Sequence, residues 1–397
     1  MTNFLAVERA LRTAAPYDLL PAARAALAEH YGAVQVELLL ADYSTKVLQS
    51  VADGRTEPRQ VPIKGSPQGR AFDSRERVQV VGHQECVDLY VPVTAHGDRL
   101  GILSVRLPVR PAEEKVAPQV LDEITAIADI VGHEILVAER DTDVYLQARR
   151  ASRLTLAAEV QWHLLPGRAC ARKEYEIGAQ LEPAYAIYGD NFDWAETAST
   201  LTLSITNGMG EGIQAALLTS LAVNALRNAR RAGIGIADQA ALADQALFAQ
   251  YRGEEYVATL LLSFDLDTGR VQVVDGGSPQ LWRHRDRTVE HIEFDAQMPL
   301  GMFEETDYVT QDFRVVPGDR LIFVSDGVFA ALSDKGETFG EKMLARAIQA
   351  ARLLPAAAVP RAILQDLSAY LDQGAGPEVA DDALVLCLDW FGRDVRS

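Results

Sequence analysis

Apolar side chains recur at helical spacing through residues 4–30, and Pro16 divides them, so the pattern predicts two amphipathic helices rich in Ala and Leu. The period then shortens. Segments 34–41 and 46–51 alternate or run apolar around the turn-forming Asp42-Tyr43-Ser44, and 78–81, 89–93 and 101–105 continue with branched, strand-type residues. Between them, 65–75 combines Gly, Pro and a short helical pattern. Helices, a hairpin, a helix, three strands and a closing helix predict an α+β sandwich about one antiparallel sheet. From 116 to 163 the pattern predicts a single long helical run, weakened only at Gly132. Leu121, Ile124, Ala128, Val131, Ile135, Ala138, Thr142 and Tyr145 alternate spacings of three and four, a heptad seam that degrades at Arg149 and Ser152. Two readings of the seam are open: a helix packed on its own domain, or a parallel dimeric coiled coil that passes a signal between domains.

Beyond this run, strand patterns at 178–182, 200–206, 257–265, 270–274, 281–284, 320–325 and 383–388 surround two helix pairs, 213–232 with 236–250 and 340–352 with 360–372. Many strands with inserted helix pairs predict two packed sheets flanked by helices. The expected organisation is therefore a domain over 1–115, a helical linker over 116–164 and a second domain over 165–397. A length of 397 residues with 48% hydrophobic content suits more than one core.

The formal charge of -18 opposes binding to nucleic acid or to an anionic membrane surface, because phosphate attraction needs a concentrated basic face. Cys86, Cys170 and Cys387 are far apart, without CxxC spacing or clustered histidines, which argues against a disulfide framework or a zinc knuckle. His83 and Cys86 carry no recognisable haem or bilin setting, and no ligand is assigned to them. The N-terminus lacks a signal-peptide core and no stretch reaches membrane-spanning length, so a cytoplasmic protein is expected.

Candidate chemistry gathers in the C-terminal half, where aspartates stand at predicted strand ends: Gly189-Asp190, Ser325-Asp326-Gly327 and Asp381-Asp382, with Asn207-Gly208 in a similar setting. Hard divalent cations take oxygen ligands, and two such ions roughly 3.5–4 Å apart polarise a phosphoryl oxygen and deprotonate a shared water, so that hydrolysis needs no catalytic Cys or Ser. A single Asp-Gly is weak evidence, since both residues are common in turns.

The order of the motifs is more specific. Glu159-Val160-Gln161-Trp162-His163-Leu164-Leu165-Pro166 resembles the opening signature of SpoIIE/RsbU-type phosphatases, metal-dependent enzymes of the PPM (type 2C) class. Pro183-Ala184, followed by Tyr188-Gly189-Asp190-Asn191-Phe192-Asp193, is similar to that family's Pro-Ala-x-x-Val-Gly-Gly-Asp-Phe-Tyr-Asp, with Tyr188 replacing one glycine. Asn207-Gly208-Met209-Gly210-Glu211-Gly212 resembles Asp-Gly-Met-Gly-x-Gly. Pro299-Leu300-Gly301, Pro317-Gly318-Asp319, Ser325-Asp326-Gly327-Val328 and Asp381-Asp382-Ala383-Leu384 follow in the family's order, over roughly 156–390.

The resemblance implies a PPM β-sandwich with a Mn²⁺ or Mg²⁺ site. Asp190, Asp326 and Asp381 stand at metal positions, the Gly208 carbonyl is an additional ligand, and Asn207 occupies the place of the bridging Asp. An Asn amide offers one neutral oxygen and an NH₂ that cannot ligate a cation, so two ions would be bridged poorly. Glu211 stands where the family often has His. It reads either as a replacement ligand or as a solvent-facing residue favoured by the helix dipole. Asp193 and Asp382 read as supporting residues, and Asp275-Gly276-Gly277-Ser278-Pro279 replaces Asn-Ala-Gly-His-x-Pro.

Residues 89–105, Leu-Tyr-Val-Pro-Val through Gly101-Ile102-Leu103, resemble the closing strands of a GAF domain, and the flanking helices fit that sandwich over about 1–140. Together these resemblances imply a bacterial signalling protein with a GAF sensor of unknown ligand. Its phosphatase domain would act on serine or threonine phosphate of a partner such as an anti-anti-sigma factor, and the N-terminal domain and linker helix would form a homodimer. The alternative is a pseudophosphatase that binds without turnover.

Overall fold

The computed structural model describes residues 2–52, 58–81, 85–109, 115–185, 189–333, 336–371 and 382–393. The chain divides into two compact units, residues 1–153 and 154–397.

In the first unit, α1 (Thr2–Thr13) and α2 (Leu19–Tyr31) lead into β1 (Gln35–Ala41), β2 (Val47–Ser50) and β3 (Gln60–Pro62). After α3 (Pro67–Ser74) come β4 (Val78–Val81), β5 (Cys86–Ala95), β6 (Asp98–Pro108) and α4 (Pro118–Ala138). The strands form one antiparallel sheet in the order β3-β2-β1-β6-β5-β4. Alternation along β1 explains its two cores. Leu38 and Leu40 join Leu11, Leu27, Ile124 and Val131 beneath α1, α2 and α4, whereas Leu39 and Ala41 join Phe72 and Ile63 beneath α3.

The predicted long helix is three helices: α4, α5 (Val144–Ala148) and α6 (Leu156–Leu164). Leu121, Ile124, Ala128, Val131, Ile135 and Ala138 of the seam are buried in the core of their own unit. Gly132 is not a weakness in this helix. A Cβ there would lie 2.3 Å from the Thr94 carbonyl oxygen, so its absence lets α4 lie against β5. The continuous helix fails for local reasons. The Tyr145 hydroxyl donates to the Pro16 carbonyl at 2.7 Å, folding the chain back, and Thr155 caps a new helix by accepting from the Ala158 amide at 3.2 Å.

The second unit contains β7 (Ala169–Ala171), β8 (Tyr175–Glu182), β9 (Asp190–Glu196), β10 (Thr200–Gly208), α7 (Gly212–Arg231) and α8 (Ile236–Tyr251). Next are β11 (Val257–Asp265), β12 (Arg270–Gly276), β13 (Gln280–Arg285), β14 (Thr288–Ile292), β15 (Gln311–Arg314) and β16 (Arg320–Val324). The chain closes with α9 (Asp326–Phe329), α10 (Ala345–Ala350), α11 (Val359–Leu371) and β17 (Ala383–Trp390). Two antiparallel sheets result, β15-β12-β11-β10-β9 and β14-β13-β16-β17-β8-β7.

Leu261 and Val274 pack with Leu218, Leu226 and Leu247 of the α7–α8 pair. Ile322, Val324, Val385 and Cys387 pack with Ile348, Ile363 and Leu367 of α10 and α11. Successive strand residues face opposite sides, so Leu260, Leu262, Leu321, Phe323, Leu384 and Leu386, all buried, turn the other way and fill the space between the sheets. Phe264 and Trp390 stack across it at 5.9 Å. Among the described residues no helix is long and apolar enough to cross a membrane.

Candidate active site

Asp190 begins β9 and Asn207 is the penultimate residue of β10; the two are direct cross-strand partners. Opposed residues of an antiparallel pair hold their Cβ atoms about 5 Å apart on one face, so the two side chains are neighbours. Asp326 arrives from the other sheet at the start of α9, immediately after β16. The Asn207 Nδ2 donates to Asp326 Oδ1 at 2.5 Å, and the Gly327 amide donates to the same oxygen at 3.0 Å. The Asp190 amide donates to Asp382 Oδ2 at 3.3 Å, joining the first sheet to the residue before β17.

Missing Cβ atoms make these approaches possible. A Cβ on Gly327 would stand 1.8 Å from the Asp382 carbonyl oxygen, and one on Gly189 would stand 2.0 Å from that of Gly208. Thr219 of α7 secures the crossing by donating to the Gly189 carbonyl at 2.8 Å. On the opposite sheet, buried Ser325 exchanges hydrogen bonds with Leu384, its amide donating to that carbonyl at 3.1 Å and its hydroxyl accepting from that amide at 2.9 Å.

The structure thus brings Asp190, Asn207 and Asp326 to one end of the two sheets, with Gly208 adjoining them. Asp381 and Tyr188 lie outside the described residues, as does His83 of the first unit. Glu211 is exposed in the N-cap position of α7 and makes no hydrogen bond or ion pair among the described residues, in keeping with its solvent-facing reading. Asp193 is a structural anchor. It is buried and accepts from Arg227 at 2.7 Å and Arg230 at 2.9 Å, while Arg227 also donates to the Leu164 carbonyl at the end of α6.

One supporting pair escapes sequence reading. Asn191 stands where the family pattern has Phe, and its Nδ2 donates at 2.8 Å to Oε1 of Gln161, both side chains being fully buried. Trp162 Nε1 donates to the Ala184 carbonyl at 2.7 Å, so the Gln-Trp-x-Leu-Leu-Pro signature is bonded directly to the segment that leads into Asp190. The departure at Asn191 was visible in the sequence, but its partner thirty residues away was not.

The oxygen-only chemistry of this cluster suits Mg²⁺ or Mn²⁺. At position 207, however, an amide N–H faces the Asp326 carboxylate. Turning the amide over would set its oxygen against a carboxylate oxygen at the same distance, which is repulsive, so this orientation is the one the geometry selects. The amide at residue 207 therefore does not fit the bridging of two ions, and among the described residues no group of three or more His, Cys, Asp or Glu side chains is placed to hold a metal ion. Near this end, Asp275 is raised above the ordinary carboxylate range by burial, although the Gly277 amide donates to it at 2.8 Å.

Two facing antiparallel sheets, each covered by a helix pair and carrying acidic residues at one strand end, define the PPM or type 2C class of phosphatase fold. Residues 197–391, the greater part of the C-terminal unit, match the family described as Stage II sporulation protein E (SpoIIE). The chain is 22% identical over 209 residues to the phosphoserine phosphatase RsbU of Bacillus subtilis (strain 168), covering 52% of this chain and 62% of that protein. It is 24% identical over 128 residues to the phosphoserine phosphatase RsbP of the same organism, covering 31% of this chain and 32% of the relative. The matched regions span less than two thirds of either relative. The solved SiaA-PP2C domain of Pseudomonas aeruginosa superimposes with a TM-score of 0.50 at 21% identity, over 59% of this chain and 93% of that domain, in agreement with the fold.

Proposed function

We propose that this chain is a signalling protein phosphatase whose C-terminal unit hydrolyses phosphoserine or phosphothreonine on a partner protein, under control of a GAF-like N-terminal unit, with a weakened metal site. The observation that carries this reading is the convergence of Asp190, Asn207 and Asp326 from two sheets at one strand end. Asp190 and Asp326, with Asp381 and the Gly208 carbonyl, are the groups to hold Mg²⁺ or Mn²⁺. When bound, the ion supplies Lewis-acid polarisation of a phosphoryl oxygen and an acidified water. Asn207 contributes no charge, so metal affinity is lower than a carboxylate there would give.

The names of the two Bacillus relatives support a phosphoserine substrate, and an anti-anti-sigma factor in the cytoplasm is the partner class proposed. A homodimer formed through the N-terminal unit and its helices completes the proposal.

One observation favours a second reading. The hydrogen bond from Asn207 to Asp326 occupies a carboxylate oxygen that a cation needs, as expected of a pseudophosphatase that binds a phosphoprotein without turnover. A Mn²⁺ titration of aryl-phosphate hydrolysis separates the two, using the protein as written, Asn207→Asp and Asp326→Ala. Activity in the first two, with tighter metal dependence in Asn207→Asp and none in Asp326→Ala, supports the phosphatase. Activity only in Asn207→Asp assigns the pseudophosphatase.

A further inference from the structure

The hairpin β13–β14 and the helix α10 enclose an open pocket of about 490 Å³ at the end of the six-stranded sheet away from Asp326. His284 of β13 pairs with Arg320, the first residue of β16, and six strand positions separate Arg320 from Asp326, roughly 20 Å of extended chain. Arg287, Arg346 and Arg352 line the pocket, together with the Gln349 amide and an apolar wall that includes Val289 and Ala345.

Three features distinguish this solvent-exposed cluster. The other arginines of the hairpin are neutralised, Arg283 by Glu290 and Arg285 by Asp319, whereas Arg287, Arg346 and Arg352 make no ion pair among the described residues. Three guanidinium groups without an ion-pair partner among the described residues thus line one pocket on a chain of net charge -18. Arg287 also occupies the left-handed region at φ 71°, after Asp286 at φ 47°, in a two-residue turn whose geometry favours Asn-Gly. Finally, the pKa of the His284 ring on β13 is pushed down by burial and by the nearby Arg320 and Arg352, against the opposing effect of a hydrogen bond with the Gln349 side chain.

We propose that this pocket binds a small, multiply charged anion bearing phosphoryl or carboxylate groups. Guanidinium groups pair bidentately with both, the pocket falls within the size range of small-molecule sites, and the apolar wall accepts a short aliphatic part. Such a ligand supplies the negative charge that the three arginines lack among the described residues. Arg320 connects the pocket wall to the sheet, donating to the Ala351 carbonyl at 3.0 Å and the Leu354 carbonyl at 2.8 Å while paired with Asp389 at 2.6 Å. The proposal is independent of whether the aspartate site turns over.

The test is calorimetric titration of the full chain with pyrophosphate and, separately, with citrate, in buffer freed of divalent metal. Saturable binding of at least one, with a Kd below about 1 mM, is expected, and the preferred anion separates phosphoryl from carboxylate ligands. Binding should weaken about tenfold or more in Arg346→Glu and in Arg287→Gly, the latter chosen because glycine suits the positive φ, and should persist in Asp326→Ala. Failure of both anions to saturate overturns the proposal. So does binding that is lost in Asp326→Ala and kept in Arg346→Glu, which places the anion at the aspartate end. Binding of a polyglutamate peptide but of neither small anion overturns it in favour of a protein-docking surface.

Discussion

Exchanging a carboxylate for an amide at position 207 changes the site in two ways at once. One negative charge is removed from the cluster, and an N–H donor is introduced that holds Asp326 Oδ1 at 2.5 Å. Asn207→Asp reverses both, and apparent Mn²⁺ affinity is expected to rise about tenfold or more, the order of one lost charge pair in a partly buried site, read by calorimetry independently of turnover. Asp275 offers a second residue-scale test through pH. Burial raises its pKa, so the fold favours the neutral acid; that stability is present below the ordinary carboxylate range and is lost as pH rises through the raised value. Asp275→Asn keeps an oxygen for the Gly277 amide and removes the charge. Its melting temperature should exceed that of the parent by a few degrees at pH 7, and the gap should close towards pH 4; an equal gap at both pH values would contradict the assignment.

At the scale of elements, the site depends on how closely backbones cross. Gly327→Ala forces a Cβ to within 1.8 Å of the Asp382 carbonyl oxygen, so either the Asp326 turn or the start of β17 must move. Both Mn²⁺ affinity and melting temperature should fall together, as calorimetry and thermal melting would show. The buried Asp193 ties β9 to α7, and Arg227 extends that tie to the end of α6. Arg227→Ala, which leaves Arg230 as the remaining ion-pair partner among the described residues, is expected to cost about 2–3 kcal/mol in a denaturant melt. Most elements were legible from period alone, including both helix pairs of the second unit and the hairpins of the first. The missed strands, β3, β7, β9, β14 and β15, are short, lie at sheet edges or carry polar side chains. β9 reads Asp-Asn-Phe-Asp-Trp-Ala-Glu and owes its extended form to pairing with β10 rather than to any alternation of its own. The long helix over 116–163 failed because a seam records which face is buried but not against what. α4 buries that face in its own unit, and the polar stretch after it supplies turns and a cap.

For the whole molecule, the division at Arg153 and Leu154 predicts that residues 1–153 and 154–397 each fold cooperatively when expressed alone. Circular dichroism melts of the two pieces should each show one sigmoidal transition; a non-cooperative melt in either would show that its core is incomplete. By itself the sequence determined the two classes of architecture, the helix pairs of the second unit and the identity of the candidate acidic residues, because these are written in local period and in motifs of a few residues. Only the tertiary structure decided that Asn207 is bonded to Asp326, that Asn191 is satisfied by Gln161, that the heptad seam faces its own sheet, and that Arg287, Arg346 and Arg352 share a pocket. Each of these joins groups distant along the chain, and their meeting is set by sheet register and packing rather than by any local pattern.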